Sequence, residues 1–123
     1  MPKTILLIDN EPDIIKTVGF RLRKLGYTVH TAVDGAEGLS RALELKPDLI
    51  ITDFFLPKLD GLRLCQHVKA DQACKNIPVI ICSGSVMDDA PPEGAEVADA
   101  YLPKPFDDDQ FVATVRRLLK EKS

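Results

Sequence analysis

The sequence predicts an α/β domain with a parallel sheet that helices cover on both faces. Two observations support this prediction. Short β-rich runs alternate five times with segments that have helical features, and there are no internal repeats or linkers. Three of the runs, at residues 5–8, 49–52 and 78–82, are apolar on both faces, which is typical of central strands in a buried sheet.

The composition is that of one ordinary globular domain, and we expect a single domain over residues 1–123. Hydrophobic residues make up 45% of the 123 residues and charged residues 28%. The net charge of -3 argues against direct nucleic-acid binding. No apolar run approaches the ~18 residues of a membrane span, and no secretory signal is present, so we expect a cytoplasmic protein without membrane insertion. The three cysteines have no metal-ligand spacing and indicate reduced thiols in or near the core.

In the first half of the chain we predict two strands, each followed by a helix. The first strand covers Ile5–Ile8, and Pro12 suits the first turn of the helix after it. Gly26 ends that helix, Tyr27–Thr31 is the second strand, and Asp34-Gly35 turns the chain. The apolar residues that share a helix face are Ile14, Val18, Leu22 and Leu25 in the first helix, and Ala36, Leu39 and Leu43 in the second, which Pro47 ends.

The second half continues the alternation with one irregular segment. Strands are predicted at Leu49–Thr52, Pro78–Cys82 and Ala98–Leu102. Residues 86–97 should form a short or irregular helix at best, because they contain three helix-breaking residues: Pro91, Pro92 and Gly94. The apolar faces of the other two helices are Leu62, Cys65 and Val68, and Phe111, Val115 and Leu118.

Reactive side chains follow four of the five predicted strands. They are the group Asp9-Asn10-Glu11, Asp53, Ser83 and Lys104. Taken singly, a strand-end aspartate commonly caps a helix and a lysine is commonly a surface charge. The carboxyl ends of parallel strands meet at one edge, however, so we expect these groups to form one site. Acids there suit a hard cation such as Mg²⁺, and a carboxylate can attack phosphorus to form an aspartyl phosphate. Lys104 and the Ser83 hydroxyl could then bind the phosphoryl oxygens.

These motifs, taken as an ordered set, resemble the receiver domains of two-component response regulators over essentially the whole chain. The matching segments are Ile8–Pro12, Asp53 with Leu56-Pro57 and Asp60-Gly61, Pro78–Gly84, and Tyr101–Phe106. The resemblance implies a flavodoxin-like, doubly wound sheet of five parallel strands in the order 2-1-3-4-5 with five helices. It also implies a signalling module rather than an enzyme.

The resemblance further implies a role for each site residue. Asp53 would accept a phosphoryl group from the phosphohistidine of a sensor histidine kinase or phosphotransfer protein. The Mg²⁺ ligands would be Asp9, Asn10, Asp53 and the backbone carbonyl of Phe55. Lys104 would sense the phosphate, while Ser83 and Tyr101 would be the switch hydroxyl and switch aromatic, and the Lys104–Pro105 bond is expected to be cis. The output would require a downstream protein partner or an output domain beyond this sequence.

Two departures from the family pattern leave alternatives open. Asn10 stands where the family usually has a second aspartate, which predicts weaker Mg²⁺ binding, and Glu11 is a less favoured substitute. The irregular segment at 86–97 puts a standard output surface in doubt. The runner-up hypothesis is therefore a receiver-like module that binds partners without phosphorylation. A phosphatase of the haloacid dehalogenase type would need a second aspartate where Phe55 stands, and an FMN-binding flavodoxin would need a glycine- and hydroxyl-rich first loop.

Overall fold

The computed structural model describes residues 2–83, 94–104 and 107–121. Its strands are β1 (Thr4–Ile8), β2 (Thr28–Ala32), β3 (Leu49–Asp53), β4 (Val79–Ser83) and β5 (Ala100–Pro103). Its α-helices are α1 (Pro12–Lys24), α2 (Gly35–Leu45), α3 (Gly61–Ala70) and α4 (Asp108–Leu118), and a short 3₁₀ helix covers Ala95–Val97. Within these ranges no helix combines the length and the apolar content that crossing a lipid bilayer requires.

The five strands form one parallel sheet in the order β2-β1-β3-β4-β5, as predicted. The register pairs Ile5 with Leu49 across β1 and β3, and Asp53 with Cys82 across β3 and β4. All strands run in the same direction, so their carboxyl ends meet along one edge. This flavodoxin-like topology places the last residues of β1, β3, β4 and β5 beside one another.

The hydrophobic core lies on both faces of the sheet. Helices α1 and α4 cover one face, where they contribute Val18, Leu22, Phe111 and Val115. Helices α2 and α3 cover the other face, where they contribute Ala42, Leu64, Cys65 and Val68. Every residue of β3 and β4 is buried, and only the first residue of β1 is partly exposed. The prediction that the first, third and fourth strands are central is therefore confirmed.

Helix α2 begins earlier than predicted, because Asp34 is its N-cap. The Asp34 carboxylate accepts a hydrogen bond from the Glu37 amide at 2.7 Å, and the Glu37 carboxylate accepts one from the Val33 amide at 2.8 Å. Gly35 is the first helical residue rather than part of a turn. A Cβ atom at Gly35 would lie 1.7 Å from the carbonyl oxygen of Leu59, so this close approach of two backbones requires glycine.

Strand β2 begins one residue later than predicted, because the backbone of Tyr27 belongs to the end of α1. The Tyr27 amide donates to the carbonyl of Leu22 at 3.2 Å, as in a helix C-terminal motif. Gly26, with φ 99°, has the left-handed conformation expected of the residue after a helix. The strand that follows is Thr28–Ala32 instead of Tyr27–Thr31.

Strand β5 also begins later than predicted, at Ala100 instead of Ala98, because Asp99 makes other contacts. Its carboxylate accepts hydrogen bonds from the Val79 amide and from the Lys69 ammonium, each at 2.8 Å. Residues 98 and 99 therefore form a bend before β5, and the hydrogen bond of Asp99 to Val79 joins this bend to the first residue of β4. A side-chain contact of this kind leaves no periodic signal in the sequence.

Two predictions concern segments that the structure describes only in part or not at all. Of the predicted irregular helix at 86–97, the described part begins at Gly94 and contains the 3₁₀ helix Ala95–Val97. Pro91 and Pro92, the Gly84 position and the predicted cis bond between Lys104 and Pro105 lie outside the described residues.

The three cysteines are buried, as predicted, and none of them is paired in a disulfide. Burial raises the pKa of Cys65 to about 11 and also raises the pKa values of Cys74 and Cys82. A thiol with a raised pKa is rarely ionised at neutral pH, so these side chains act as packing groups.

Candidate functional site

Asp53 is the last residue of β3, and the backbone around it is held from several sides. The Phe54 amide donates to the Cys82 carbonyl at 2.7 Å, and the Thr52 hydroxyl donates to the Asp53 carbonyl at 3.0 Å. A Cβ atom at Gly61 would lie 2.2 Å from the Asp53 carbonyl oxygen, so the first residue of α3 must be glycine. Asp53 itself is only 7% exposed. Its carboxylate is therefore presented from a rigid position at the edge of the sheet.

Asp9 and Glu11 lie directly after β1 and are coupled to each other. The Asp9 amide donates to the Ala32 carbonyl at 3.1 Å, which extends the β1–β2 pairing to the site. Oδ1 of Asp9 accepts a hydrogen bond from the Glu11 amide at 2.9 Å. Glu11 is the N-cap residue of α1, yet its side chain makes no capping hydrogen bond. The Glu11 carboxylate is thus available to the cluster rather than to the helix.

Lys104, which follows β5, joins the acidic residues into one cluster. Its amide donates to the Ser83 carbonyl at 2.8 Å, which ties this loop to the end of β4. Its Nζ lies 2.6 Å from Oδ2 of Asp9, 3.5 Å from Oδ1 of Asp53 and 3.8 Å from Oε1 of Glu11. One ammonium group therefore faces three carboxylates at the carboxyl edge of the sheet.

Burial and charge shift the pKa values at this site in understandable directions. Burial raises the pKa of Asp53, the positive charge of Lys104 opposes that shift, and the negative charge of Asp9 adds to it. Burial alone would lower the pKa of Lys104. The hydrogen bond to Asp9 and the charges of Asp53 and Asp9 outweigh that effect, and the pKa of Lys104 is raised. Lys104 is therefore a stable cation at neutral pH, while ionised Asp53 is disfavoured by its surroundings.

The three carboxylates also have the chemistry and spacing of a metal site. One ligand oxygen from each of Asp9, Glu11 and Asp53 lies within 4.8 Å of the others. Octahedral Mg²⁺ holds oxygen ligands at 2.0–2.1 Å, which places those ligands roughly 3 to 4 Å apart. A small closure of the cluster would thus suffice, and carboxylates are the hard donors that this ion prefers. The residues present fit the predicted Mg²⁺.

Asn10 and Phe55, the other two predicted metal ligands, are placed near the cluster by the chain. Asn10 is exposed between Asp9 and Glu11. Phe55 follows Asp53 by two residues and is 49% exposed, and its ring meets the ring of Phe54 edge-on at a centroid distance of 4.8 Å. Their roles as ligands stay predictions.

The two predicted switch residues lie on the same face of the sheet. Ser83 is buried at the end of β4, two residues beyond Ile81. Tyr101 in β5 is the register partner of Ile81, and its half-buried ring packs against the cluster formed with α2 and α3. Residues two apart on a strand point to the same side, so Ser83 and Tyr101 share the side covered by α2 and α3.

The structure brings the side chains of Asp9, Asp53 and Lys104 together. Ser83 is joined to this site through its carbonyl, which accepts the Lys104 amide. Glu11, which the sequence places in the same group but disfavours as a replacement for the charge that Asn10 lacks, has a ligand oxygen in the acidic cluster. The signal in the sequence was weak but present. Glutamate is a poor helix cap compared with Ser, Thr, Asp or Asn, so its position immediately before Pro12 has no strong local explanation.

Comparisons with known proteins agree with this geometry. The sequence model described as the response regulator receiver domain matches residues 5–116. The DNA-binding dual master transcriptional regulator RpaA of Synechocystis sp. is 42% identical over 123 residues, which cover 98% of this chain and 50% of RpaA. The chain thus spans about half the length of the curated relatives that it matches.

Solved structures show the same fold. The chemotaxis response regulator CheY4 of Vibrio cholerae matches with a TM-score of 0.86 at 28% identity, covering 96% of this chain and 99% of that one. The response regulator protein TrrA of Thermotoga maritima, solved in complex with Mg(2+)-BeF, also matches with a TM-score of 0.86 at 28% identity. That match covers 94% of this chain and 98% of TrrA.

Proposed function

The chain belongs to the response regulator receiver domain family, and we propose that it is a switch controlled by phosphorylation of Asp53. The phosphoryl donor is the phosphohistidine of a sensor histidine kinase or phosphotransfer protein. The step depends on Mg²⁺ and changes a surface that binds another protein. The whole of residues 1–123 acts as one receiver unit. Because receiver domains are signalling modules, the chain acts as a switch rather than as an enzyme with turnover.

The chemistry is a transfer of one phosphoryl group between two side chains. A carboxylate oxygen of Asp53 forms a bond to phosphorus while the bond from phosphorus to the donor imidazole nitrogen breaks. The imidazole leaves with the electron pair and is protonated. Lys104 neutralises charge on the transferred group from its position 3.5 Å from Asp53. Mg²⁺, when held by the carboxylates, neutralises further charge on the phosphoryl oxygens.

One observation carries this proposal more than any other. The ammonium of Lys104 lies between Asp9 and Asp53, and the side chains of all three residues are less than a tenth exposed. A purely structural ion pair would need one carboxylate, whereas this lysine faces a surplus of negative charge at a strand edge. Such an arrangement suits phosphoryl transfer, in which catalysis is mostly positioning and charge neutralisation.

We further propose that Ser83 and Tyr101 transmit the change. The phosphoryl group adds about -1.5 to -2 charges next to the carboxyl end of β4. Ser83 moves toward it and donates a hydrogen bond to a phosphoryl oxygen. Tyr101, on the same side of the sheet, then turns inward and alters the outer surface at β5.

The output of the switch lies outside these residues. RpaA is named a DNA-binding transcriptional regulator and is about twice as long as the matched region. We propose that this receiver acts in the cytoplasm through a downstream protein or through an output domain, and that it does not itself contact nucleic acid. Its net charge of -3 supports the last point.

The direct test is incubation with acetyl phosphate and Mg²⁺, followed by intact-mass measurement. We expect an adduct of ~80 Da on the wild-type protein and on the control Asp13→Asn, which removes an exposed carboxylate in α1. The Asp53→Ala and Asp53→Asn variants should show none. An adduct that persists in both Asp53 variants would place the modification elsewhere and refute the proposal.

The second candidate is a receiver that binds its partner without phosphorylation, and Asn10 is the observation that favours it. Asn10 removes one negative charge from the position at which the family usually has a second aspartate. If wild-type protein acquires no adduct even at high Mg²⁺ concentration, this second function is supported instead.

A further inference from the structure

We propose that Glu11 supplies the carboxylate charge that Asn10 lacks, and that Glu11 is a ligand of the divalent cation in this chain. This inference rests on the proposed function, because it concerns the cation of the same site. It departs from the sequence expectation, in which the missing charge simply weakens binding.

The first reason is the position of the Glu11 carboxylate. Its Oε1 lies 3.8 Å from Nζ of Lys104, the same ammonium that contacts Asp9 and Asp53. Its ligand oxygen belongs to the group of three carboxylate oxygens within 4.8 Å of one another. The side chain is 62% exposed, so it can reach a cation that enters from solvent and still carries water.

The second reason is that a hydrogen bond fixes the backbone of Glu11, while its carboxylate makes no capping hydrogen bond to α1. The Glu11 amide donates to Oδ1 of Asp9 at 2.9 Å, which fixes the distance between these two residues. The same residue occupies the N-cap of α1 with an extended backbone and without a capping hydrogen bond from its carboxylate. An N-cap residue normally uses its side chain to bind the first helical amides. The Glu11 carboxylate is instead directed toward the cluster.

The third reason is the charge of the cluster. When ionised, the carboxylates of Asp9, Glu11 and Asp53 outweigh the single ammonium of Lys104 by two charges, which suits a divalent cation. Without Glu11 the surplus is one charge, because the amide of Asn10 contributes none. Cation affinity at oxygen sites depends on the number of charged ligands, so Glu11 should matter more here than in a receiver with two aspartates.

The test is Mg²⁺ titration by calorimetry on the whole chain, with Mg²⁺-dependent thermal stabilisation as a second readout. Glu11→Gln should raise the dissociation constant about tenfold or more, since it keeps the shape and removes the charge. The matched control is Asp13→Asn, which removes one negative charge from the next exposed acid along the chain and should change the constant less than about twofold. Neither readout depends on phosphorylation.

A rescue variant separates a ligand from a general charge effect. Asn10→Asp added to Glu11→Gln should restore most of the lost affinity, whereas Asn10→Asp alone should improve it only slightly. Equal effects of Glu11→Gln and Asp13→Asn would overturn the inference, although the proposed function would survive if wild-type protein still bound Mg²⁺ and formed the Asp53 adduct. Absence of Mg²⁺ binding in the wild-type protein would count against the cation step of the proposed function as well.

Discussion

Two partly buried lysines, Lys104 and Lys69, show how differently the same side chain is used at opposite edges of the sheet. Lys69 donates to the Ile77 carbonyl at 2.7 Å and to Oδ2 of Asp99 at 2.8 Å. Asp99 in turn accepts the Val79 amide and donates its own amide to the Val79 carbonyl. Each of these polar groups has a partner, and the one ammonium matches the one carboxylate.

At Lys104, by contrast, the negative charges outnumber the positive one. Lys104 is more deeply buried than Lys69, with 9% of its side chain exposed against 19%, and it faces three carboxylates instead of one. Burial raises the pKa of Asp53 and the negative charge of Asp9 adds to that shift, so the ionised form of Asp53 costs stability. The charges of the Lys69 group are therefore balanced and stabilise the fold, whereas the Lys104 group has a surplus of negative charge that suits the proposed cation.

The largest effect should come from removing each lysine with the same substitution. Lys104→Met leaves Asp9 buried without its closest cation and should lower the unfolding free energy by about 3 kcal/mol. Lys69→Met should lower it by about 2 kcal/mol, because Asp99 retains the Val79 amide. Saturating Mg²⁺ should reduce the difference in stability between wild type and Lys104→Met. It should leave the difference between wild type and Lys69→Met unchanged, because that variant keeps the same acidic cluster as wild type.

Urea unfolding with and without Mg²⁺ measures both losses of stability. The control is Lys16→Met, at an exposed position of α1, whose unfolding free energy should stay within about 0.5 kcal/mol of wild type. Equal responses of the Lys104 and Lys69 variants to Mg²⁺ would break the comparison.

A smaller loss of stability is expected when the hydroxyl of Tyr27 is removed. This hydroxyl is a neutral hydrogen-bond donor, whereas the two lysines are charged donors. The Tyr27 hydroxyl donates to a carboxylate oxygen of Glu121, near the end of the described chain. Tyr27→Phe should lower the unfolding free energy by about 1.5 kcal/mol at pH 7, as expected for a hydrogen bond to a charged group. Burial and the Glu121 carboxylate raise the pKa of Tyr27 from 10.0 to about 12.

The sign of the pH dependence follows from that shift. Below pH 10 the tyrosine is protonated in both the folded and the unfolded chain, so its contribution is fully present. Between pH 10 and about 12 the folded chain holds the proton more tightly, and the contribution is lost as the pH rises. The difference between wild type and Tyr27→Phe in urea unfolding should therefore shrink over that interval. A difference that is independent of pH would contradict the hydrogen bond as its cause.

The smallest effect, and the one of opposite sign, is expected for Asp53→Asn without Mg²⁺. Because the folded-state pKa of Asp53 is raised above 3.8, the stability that this carboxyl contributes is present below pH 3.8 and is lost as the pH rises through the folded pKa. The side-chain amide in Asp53→Asn carries no charge at any pH, so the variant does not lose this stability as the pH rises. The variant should therefore unfold at a higher temperature than wild type at pH 7, and the two should converge at acidic pH. A lower unfolding temperature at pH 7 would mean that the ion pair with Lys104 outweighs burial.

Much of the fold could be predicted because its signals are local. Apolar runs revealed the five strands, and helical periodicity revealed α1, α2, α3 and α4. The predicted boundaries failed where a distant side chain intervened, as at Asp99, whose contacts with Lys69 and Val79 delay β5. The candidate site followed from the rule that parallel strands deliver their following residues to one edge. Its exact partners did not follow, since Asp9 rather than Asp53 is the carboxylate nearest to Lys104.

The amino-acid order was sufficient to specify which residues form strands, which strands are central and which side chains follow their carboxyl ends, because these features depend on neighbours within a few positions. The folded chain was needed to reveal the Lys104–Asp9 contact, between residues 95 positions apart, and the Tyr27–Glu121 contact, between residues 94 positions apart. It was equally needed to show that Oε1 of Glu11 lies 3.8 Å from Nζ of Lys104. Contacts of this kind depend on register, helix packing and rotamer together, and no local pattern encodes all three.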